Sequence, residues 1–251
     1  MENIGLIAAM QEESDALLRR VNKPERIKVG PYRGFHFELA GWTCILVTSG
    51  MGTRRAAEAT RLLIAEHHPK LLISFGIAGA VEPDLEIGDV VAAESFCQLE
   101  AGVPGPRQPL AALPEAAREA VVRALAACNA HFFTGTAVTT SGTQLHHNDP
   151  DSLTHPILEM ETAGIAQAAA GSNIPLLVLR AISDGPRAPI PFDLGEVMDA
   201  DANMKIGKLL QAVFRNPKII LQSGQLMQNS RLAEENAAAA VIAALSSGGW
   251  A

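Results

Sequence analysis

Short apolar runs alternate along this chain with longer stretches in which apolar residues recur every three or four positions. The short runs are rich in Val, Ile and Leu and predict buried strands, whereas the longer stretches predict amphipathic helices. This alternation is typical of an α/β fold in which helices cover both faces of a sheet. The predicted strands are Ile4 to Ala8, Phe35 to Ala40, Thr43 to Thr48, Leu71 to Phe75, Val90 to Ser95, Thr134 to Thr139 and Leu176 to Leu179.

Helical spacing fills most of the sequence between these runs, and a Gly- and Pro-rich segment from Gly102 to Pro109 predicts a loop. After the last strand, helical spacing returns from Met204 to Phe214 and from Ile219 to Leu245, with a break at Asn216-Pro217. The remaining predicted helices are Glu12 to Arg20, Thr53 to His67, Pro114 to Cys128 and Thr162 to Ala170.

The composition indicates a compact domain with a small-molecule partner. Of the 251 residues, 48% are apolar and 19% charged, which is enough to bury a large core. A net charge of −7 without clusters of Lys and Arg argues against a nucleic-acid partner. The sequence has no run of about 18 apolar residues that would suggest a membrane span. We therefore expect neither nucleic acid nor membrane as a partner.

The cysteines and the amino terminus indicate a reducing environment. Cys44, Cys97 and Cys128 lie far apart and predict neither a zinc site nor a disulfide framework. Cys44 and Cys97 stand in apolar, strand-like runs and are expected to fill the core. Met1-Glu2-Asn3 lacks the basic start and apolar stretch of a signal peptide. We expect a cytoplasmic protein that needs no metal and no cofactor.

Two segments carry ionisable side chains where the apolar pattern would otherwise continue, namely Leu158 to Gly164 and Leu179 to Asp184. The first ends a turn-rich stretch and opens an Ala-rich helix, and the second closes a buried strand. One helix and a loop separate them, so both can return to the same edge of the sheet. In open α/β sheets, ligands bind at the edge formed by the carboxyl ends of the strands.

Each segment has a structural interpretation beside the functional one. The paired carboxylates of Glu159 and Glu161 suit the cis-diol of a sugar, but acidic residues in a first helical turn also offset the helix dipole without any function. Asp184 could cap a helix and pair with Arg180. The combination of the two segments favours a reacting centre.

These residues resemble the paired signature of the purine nucleoside phosphorylase and methylthioadenosine/S-adenosylhomocysteine nucleosidase superfamily. The resemblance implies an α/β fold, a three-layer α/β/α sandwich around a central mixed, twisted sheet. It covers residues from about 3 to about 200. The segments that carry it are Glu159-Met160-Glu161, Arg180 to Asp184, Ile4 to Glu13, Ser49 to Gly52, and Phe75 to Val81 running into Leu85 to Val91.

The resemblance implies a role for most of these polar residues. Cleavage of a purine N-glycosidic bond needs protonation of the leaving base, stabilisation of the ribosyl centre and a nucleophile on the opposite face. Asp184 is the expected acid at the purine, and Ser183 is expected to orient it. Glu161 and Met160 would hold the ribose hydroxyls, with Glu159 also grouped among the substrate-binding residues.

The residues expected to act on the attacking water lie in the amino-terminal segment from Ile4 to Glu13. By the resemblance, Glu13 is the base that polarises an attacking water, although Glu12 or Glu13 could equally be an acidic residue of a surface helix. Arg180 would help to fix the water and balance the glutamates. Met10 joins the expected substrate-binding residues.

Two positions depart from the nucleosidase pattern. Ile77 stands where the nucleosidases usually carry a serine that helps to bind the water. Leu145 stands near their adenine-stacking phenylalanine. We count both among the substrate-binding positions and expect either a different substrate or a water held in another way. His146 and His147, beside Leu145, predict a solvated loop.

The nucleophile remains open between water and phosphate. Phosphorylases of this superfamily carry an arginine in the first loop and another two residues before the glycine of the Phe75-Gly76 block; here neither is present, and Ser74 holds the second position. This difference favours water. Arg54 and Arg55, or Arg33 from a neighbouring subunit, could supply replacement charge for phosphate.

The resemblance therefore implies a nucleosidase acting on a 5′-modified adenosine such as methylthioadenosine, S-adenosylhomocysteine or a relative of futalosine. The alternatives are a phosphorylase, including one similar to the relatives associated with hopanoid biosynthesis, and a non-catalytic nucleoside-binding protein. We expect residues 1–202 to form the catalytic domain and 203–251 a helical extension packed on it. The resemblance also implies a homodimer or trimer-based oligomer, in which the segment around Pro104 to Leu113 or the carboxyl-terminal tail of a neighbour closes the 5′ end of the sugar pocket.

Overall fold

The computed structural model describes residues 2–100, 102–140, 153–189, 218–248 and 250, and of residues 218–223 the backbone alone. Their helices and strands follow the alternation that the apolar pattern predicts. In chain order they are β1 (Asn3–Ala8), α1 (Gln11–Leu18), β2 (Glu25–Val29), β3 (Tyr32–Leu39), β4 (Trp42–Thr48), α2 (Thr53–His67), β5 (Leu71–Ala80), β6 (Val90–Glu100), β7 (Val103–Pro104), β8 (Gln108–Pro109), α3 (Glu115–Ala126), β9 (Phe132–Thr139), β10 (Pro156–Glu159), α4 (Thr162–Ala169), β11 (Leu176–Asp184) and α5 (Lys218–Ser246).

The sheet is mixed and has the order β10-β9-β6-β11-β5-β1-β4-β3-β2. Its centre is parallel, because β1 pairs with both β4 and β5 in that sense and β5 pairs likewise with β11. In contrast, β6 runs antiparallel to β11. β10 pairs with β9 and also with the end of β5, where Leu158 lies opposite Gly79. The sheet thus closes on itself beside the ends of β5 and β11.

Helices cover both faces, which confirms the predicted three-layer α/β/α arrangement. On one face α1, α3 and α5 share a core with the sheet, built from residues such as Leu17, Val121 and Val241. On the other face α2 and α4 pack through Leu63 and Ile165. Cys44 and Cys97 are buried, as expected of core residues. None of the described helices combines the length and apolarity needed to cross a bilayer.

The pattern located the predicted strands correctly but ended three of them too early. β5, β6 and β11 continue to Ala80, Glu100 and Asp184 because their backbones find partners beyond the apolar run. Hydrogen bonding to a neighbouring strand does not require an apolar side chain.

Three further segments differ from the prediction because they pair with a neighbouring strand although their local pattern does not predict one. The turn-rich stretch before Glu161 contains β10, and the polar residues of β2 pair with β3 at the edge of the sheet. The loop prediction for Gly102 to Pro109 is wrong in part, since the short strands β7 and β8 both pair with β6. The predicted helix from Met204 to Phe214 lies outside the described residues. Beyond it, α5 forms a single helix.

Candidate active site

Three carboxylates and a guanidinium are buried together where α1, β5, α4 and β11 meet. Glu13, Glu159, Glu161 and Arg180 are all less than 10% exposed. Charges buried to this extent destabilise a fold unless they are paired and hydrogen-bonded. The cluster therefore has to be explained contact by contact.

Glu13 lies in the first turn of α1, and its side chain folds back onto the backbone before the helix. Its Oε2 accepts hydrogen bonds from the N–H groups of Ala9 and Met10, both 2.8 Å away. Its Oε1 accepts from the N–H of Ile77 at 3.0 Å. Glu12, one position earlier, is exposed. The structure therefore distinguishes two glutamates that the sequence left equivalent.

Burial raises the pKa of the Glu13 carboxyl above its ordinary value, although the N–H of Met10 and the charge of Arg180 act in the opposite direction. A raised pKa makes the carboxylate a stronger proton acceptor near neutral pH, as a general base requires. Gly76 makes room for this carboxylate, because a Cβ at Gly76 would overlap Glu13 Oε1.

Arg180 crosses the cluster from the middle of β11. Its Nη2 donates to Ser74 Oγ at 2.9 Å and to Glu159 Oε2 at 3.2 Å. The same nitrogen lies 4.0 Å from Glu161 Oε2. One cation thus balances the glutamates of the 159–161 segment, as the sequence suggested.

Both carboxylate oxygens of Glu159 accept hydrogen bonds from other groups of the protein. Its Oε2 accepts from the N–H of Glu161 at 3.0 Å and from the N–H and Oγ1 of Thr162, each at 2.8 Å. Its Oε1 accepts from Thr139 Oγ1 at 2.5 Å. Glu159 therefore fixes the start of α4 and the position of Arg180.

The carboxylate of Glu161 accepts fewer hydrogen bonds from the protein than that of Glu159. Its Oε1 accepts from the N–H of Gly52 at 2.9 Å, which ties α4 to the loop before α2. The N–H of Met160 lies 3.3 Å from Oε2. Burial, and next the charge of Glu159, raise the pKa of Glu161 to about 7. Among the described residues, Glu161 accepts two hydrogen bonds, whereas Glu159 accepts five.

Asp184 ends β11 with its carboxyl half-buried beside the end of β5. Ser183 Oγ donates to Asp184 Oδ1 at 2.6 Å and also lies 3.3 Å from the carbonyl oxygen of Ala78. Burial raises the pKa of Asp184, and the Ser183 hydrogen bond opposes that rise. If Asp184 takes up a proton, Ser183 can turn its hydroxyl to Ala78. The pair can therefore accommodate both protonation states.

Gly79 allows Asp184 to approach β5. A Cβ on Gly79 would lie 2.7 Å from Asp184 Oδ2, closer than real Cβ atoms come to oxygen. Gly76 and Gly79 thus admit one carboxylate each on the same strand.

The remaining predicted residues divide by position. Met10, Met160 and Ile77 are half-buried at the cluster, and the backbone N–H groups of Met10 and Ile77 hold Glu13. Leu145, like His146 and His147, lies outside the described residues. Arg55 lies over the loop that contains Gly50, because a Cβ at Gly50 would be 3.1 Å from Arg55 Nη1.

Sequence analysis missed the residues that hold the carboxylates in place. Thr139 pairs with Glu159 in the parallel register of β9 and β10 and binds its carboxylate. Ser74 was noted only as the replacement for an arginine, yet it accepts a hydrogen bond from Arg180. A hydroxyl residue inside or at the end of an apolar strand was the available signal in both cases.

Comparisons with known proteins identify the family of this chain. The sequence model of the phosphorylase superfamily matches residues 3–215. A 5′-methylthioadenosine/S-adenosylhomocysteine nucleosidase from Tolumonas auensis is 30% identical over 208 residues, which cover 76% of this chain and 90% of that protein.

Two solved structures share the fold. The 5′-methylthioadenosine/S-adenosylhomocysteine nucleosidase of Colwellia psychrerythraea in complex with adenine has a TM-score of 0.72 at 20% identity, covering 98% of this chain and 95% of that chain. The futalosine hydrolase of Helicobacter pylori has a TM-score of 0.66 at 16% identity, covering 97% of each chain. With the fold shared and the family pattern matched over most of its length, the chain belongs to the phosphorylase superfamily.

Proposed function

We propose that this protein is a nucleosidase that hydrolyses the N-glycosidic bond of a purine nucleoside, with a 5′-modified adenosine as its substrate. The observation that carries the proposal is the burial of Glu13 beside Arg180, with its pKa raised, in a cluster that also contains Glu161. The similarity to methylthioadenosine/S-adenosylhomocysteine nucleosidases supports the substrate class.

On the water side, Glu13 accepts a proton from the attacking water as the water oxygen bonds to the anomeric carbon. Three backbone N–H groups fix the carboxylate, so it needs no rearrangement at the moment of proton transfer. Arg180 provides positive charge nearby. The side chain of Ile77 offers the attacking water no hydroxyl. Glu13 and Arg180 therefore position the water.

On the base side, Asp184 donates a proton or a hydrogen bond to the departing purine. A carboxyl group that donates near neutral pH needs a raised pKa, and burial moves Asp184 in that direction. The Ser183 hydroxyl holds Oδ1, so Oδ2 is the oxygen that faces the base.

Glu161 binds the ribose hydroxyls between these two groups. Its Oε1 is fixed by the N–H of Gly52, and its charge lies close to where positive charge develops on the ribosyl ring. Arg180, at 4.0 Å, prevents the carboxylate from being an unpaired buried charge.

The proposal is tested by incubating the protein with a panel of 5′-substituted adenosines, with and without phosphate. Release of free base and free ribose sugar in the absence of phosphate is the expected result. No base release from any 5′-substituted adenosine would contradict the substrate class.

Phosphorolysis, including a role like that of the hopanoid-associated relatives, is the second candidate. Arg55 favours it, since its guanidinium lies over Gly50, in the same loop as the Gly52 N–H that holds Glu161. Base release that depends on phosphate and yields a ribose 1-phosphate would establish this alternative and exclude hydrolysis.

We also propose that the protein forms a homodimer or a trimer-based oligomer. Its location is proposed to be the cytoplasm. Residues 203–251 are proposed to be an extension of the same domain. Val103, in the segment between β6 and α3, is 63% exposed, and apolar exposure of this kind suits a subunit contact. The free thiols of all three cysteines suit a reducing compartment. Sedimentation at micromolar concentration that showed only monomers would contradict the oligomer.

A further inference from the structure

A buried asparagine interrupts the apolar face of α5. Asn236 is 2% exposed, and Ala233 and Ala240, three positions before it and four after it, are completely buried. Its Nδ2 donates a hydrogen bond to the carbonyl oxygen of Gly88 at 2.8 Å. A buried amide side chain destabilises a fold unless it is hydrogen-bonded. The contact with Gly88 therefore compensates the burial of Asn236.

The residue before Asn236 fixes this turn of α5 on the rest of the protein. Glu235 accepts hydrogen bonds from Arg19 at 2.5 Å and from Arg20 at 2.9 Å. Gly88 approaches the helix closely, because a Cβ there would lie 3.0 Å from Asn236 Nδ2. Its φ of +93° is a conformation that glycine adopts without strain. α5 therefore holds Asn236 directly against the backbone at Gly88.

Gly88 belongs to the turn formed by residues 86–89, which lies in a part of the family pattern that has no role in the proposed mechanism. Asp89 fixes this turn from within. Its Oδ2 accepts from the N–H of Glu86, and its Oδ1 accepts from the N–H of His131, both at 2.8 Å. The turn is therefore anchored at its end by Asp89 and in its middle by α5.

The 86–89 turn in turn holds the end of β11. The N–H of Gly88 donates to the carbonyl oxygen of Ile182 at 2.9 Å. The N–H of Ile182 donates to the carbonyl oxygen of Asp89 at 2.8 Å. Both backbone groups of Ile182 are thus bound by the turn that Asn236 contacts.

Directly after Ile182, β11 contains a bulge. Ile182 lies opposite Ala78 of β5. The next residue of that strand, Gly79, lies opposite Asp184, which leaves Ser183 as the extra residue on β11. A bulge bends its strand, redirects the side chains beside it and is common next to active sites. The direction of the Asp184 carboxyl therefore depends on how firmly Ile182 is held.

We propose that Asn236 is a positioning residue for Asp184: by fixing the 86–89 turn against Ile182, it sets the bulge that aims the carboxyl at the departing purine. This role rests on the proposed function, in which Asp184 protonates the leaving base. Small displacements of a catalytic group lower turnover strongly. The last helix of the chain thereby contributes to catalysis through two successive backbone contacts.

The direct test is a carbon-13 NMR titration of the Asp184 carboxyl in the free, aspartate-labelled protein, assigned with the Asp184→Asn variant. Asn236→Ala removes the donor and suits an alanine-rich helix. The Asp184 titration should move by about half a pH unit or more, because its burial and its bond from Ser183 both depend on the direction of the carboxyl. Asn229→Ala is the matched control and should leave the titration unchanged, since the bond that this buried asparagine accepts from Gln225 stays within α5.

Turnover gives the second readout, through a double-mutant cycle. Asn236→Ala should lower kcat by roughly threefold to tenfold and change KM by less than about twofold. In the Asp184→Asn background the same substitution should have almost no effect on kcat, because the group that it displaces no longer donates a proton. Equal losses in the two backgrounds would show a general structural effect and overturn the inference.

A second substitution covers the case in which Asn236→Ala does not fold. Asn236→Asp keeps the size of the side chain but replaces the N–H donor by a carboxylate oxygen, and it should reproduce both results. An unchanged Asp184 titration in either folded variant overturns the inference, even if hydrolysis is established. A shifted titration in a protein that hydrolyses no nucleoside would instead show the positioning and refute the proposed function alone.

Discussion

The guanidinium of Arg180 lies 3.2 Å from the carboxylate of Glu159, and both side chains are almost fully enclosed. The contact joins the middle of β11 to the start of α4, and it leaves Arg180 close to Glu161 as well. Arg180 therefore connects Glu159, which anchors the start of α4, to Glu161, the carboxylate proposed to bind the sugar.

Replacing Glu159 by Gln should destabilise the protein strongly. The change leaves Arg180 without its closest negative partner and weakens the hydrogen bonds at the start of α4, for which the expected cost is about 3 to 5 kcal/mol. Denaturant unfolding measures it. Glu161→Gln is the control, since it removes the same charge with fewer contacts and should cost much less. Equal losses in the two variants would contradict the anchoring role of Glu159.

Replacing Asp184 by Asn should lower turnover by roughly a hundredfold or more and leave nucleoside binding largely intact, because the amide keeps the size but cannot supply the proton. Steady-state kinetics and calorimetric binding on a confirmed substrate separate the two effects. Ser183→Ala should show a smaller loss. Wild-type turnover in the Asp184 variant would show that the base departs without this acid.

Replacing Glu13 by Gln should abolish hydrolysis on a similar scale, whereas any phosphorolysis should survive, since phosphate arrives already ionised. Glu12→Gln provides a control on the adjacent, exposed glutamate and should retain nearly full activity. Product analysis with and without phosphate makes the measurement. Similar losses in both variants would exclude a specific role for Glu13.

Replacing Gly79 by Ala should impair catalysis by displacing Asp184, because the new Cβ would stand 2.7 Å from Oδ2. The expected loss in kcat/KM is roughly tenfold to a hundredfold, as for small misplacements of catalytic groups. Gly171→Ala is the matched control, since a Cβ there meets nothing within 4 Å. Full activity of Gly79→Ala would show that Asp184 can work from another position.

The free protein should lose stability as the pH rises from about 4.5 to 7, because the pKa values of Glu161 and Glu234 are raised from 4.5 to about 7. In this window the folded chain retains protons that the unfolded chain has released, so the free energy of unfolding falls with pH. Thermal melts across the range measure it. Glu161→Gln and Glu234→Gln should each flatten the slope, and a rise in melting temperature across the window would contradict the assignment.

The sequence contained enough information for the fold class and for most elements, because apolar strands such as Leu71 to Phe75 are determined by burial alone. It was insufficient for β10, whose four residues are held by pairing with β9 and β5 rather than by a local pattern. Edge strands and strand ends depend on neighbours that are remote in sequence, so the local hydrophobic pattern does not predict them.

The same distinction applies to the candidate site. The family resemblance pointed to Glu13, Glu161, Arg180 and Asp184, but the spacing of the paired carboxylates gave Glu159 the same role as Glu161. The difference between them arises from contacts with Thr139 and Thr162, which depend on strand register and helix start.

The ion pairs of Arg19 and Arg20, just after α1, with Glu235 of α5 join residues that lie 216 and 215 positions apart. During synthesis, α1 leaves the ribosome long before α5 is translated. The apolar side of α1 therefore stays unpacked until then. Contacts of such long range slow folding and leave intermediates with exposed apolar surface. A nascent chain of this protein should therefore depend on chaperone protection until its final helix has been translated, and truncation within α5 should expose it to degradation before it can act.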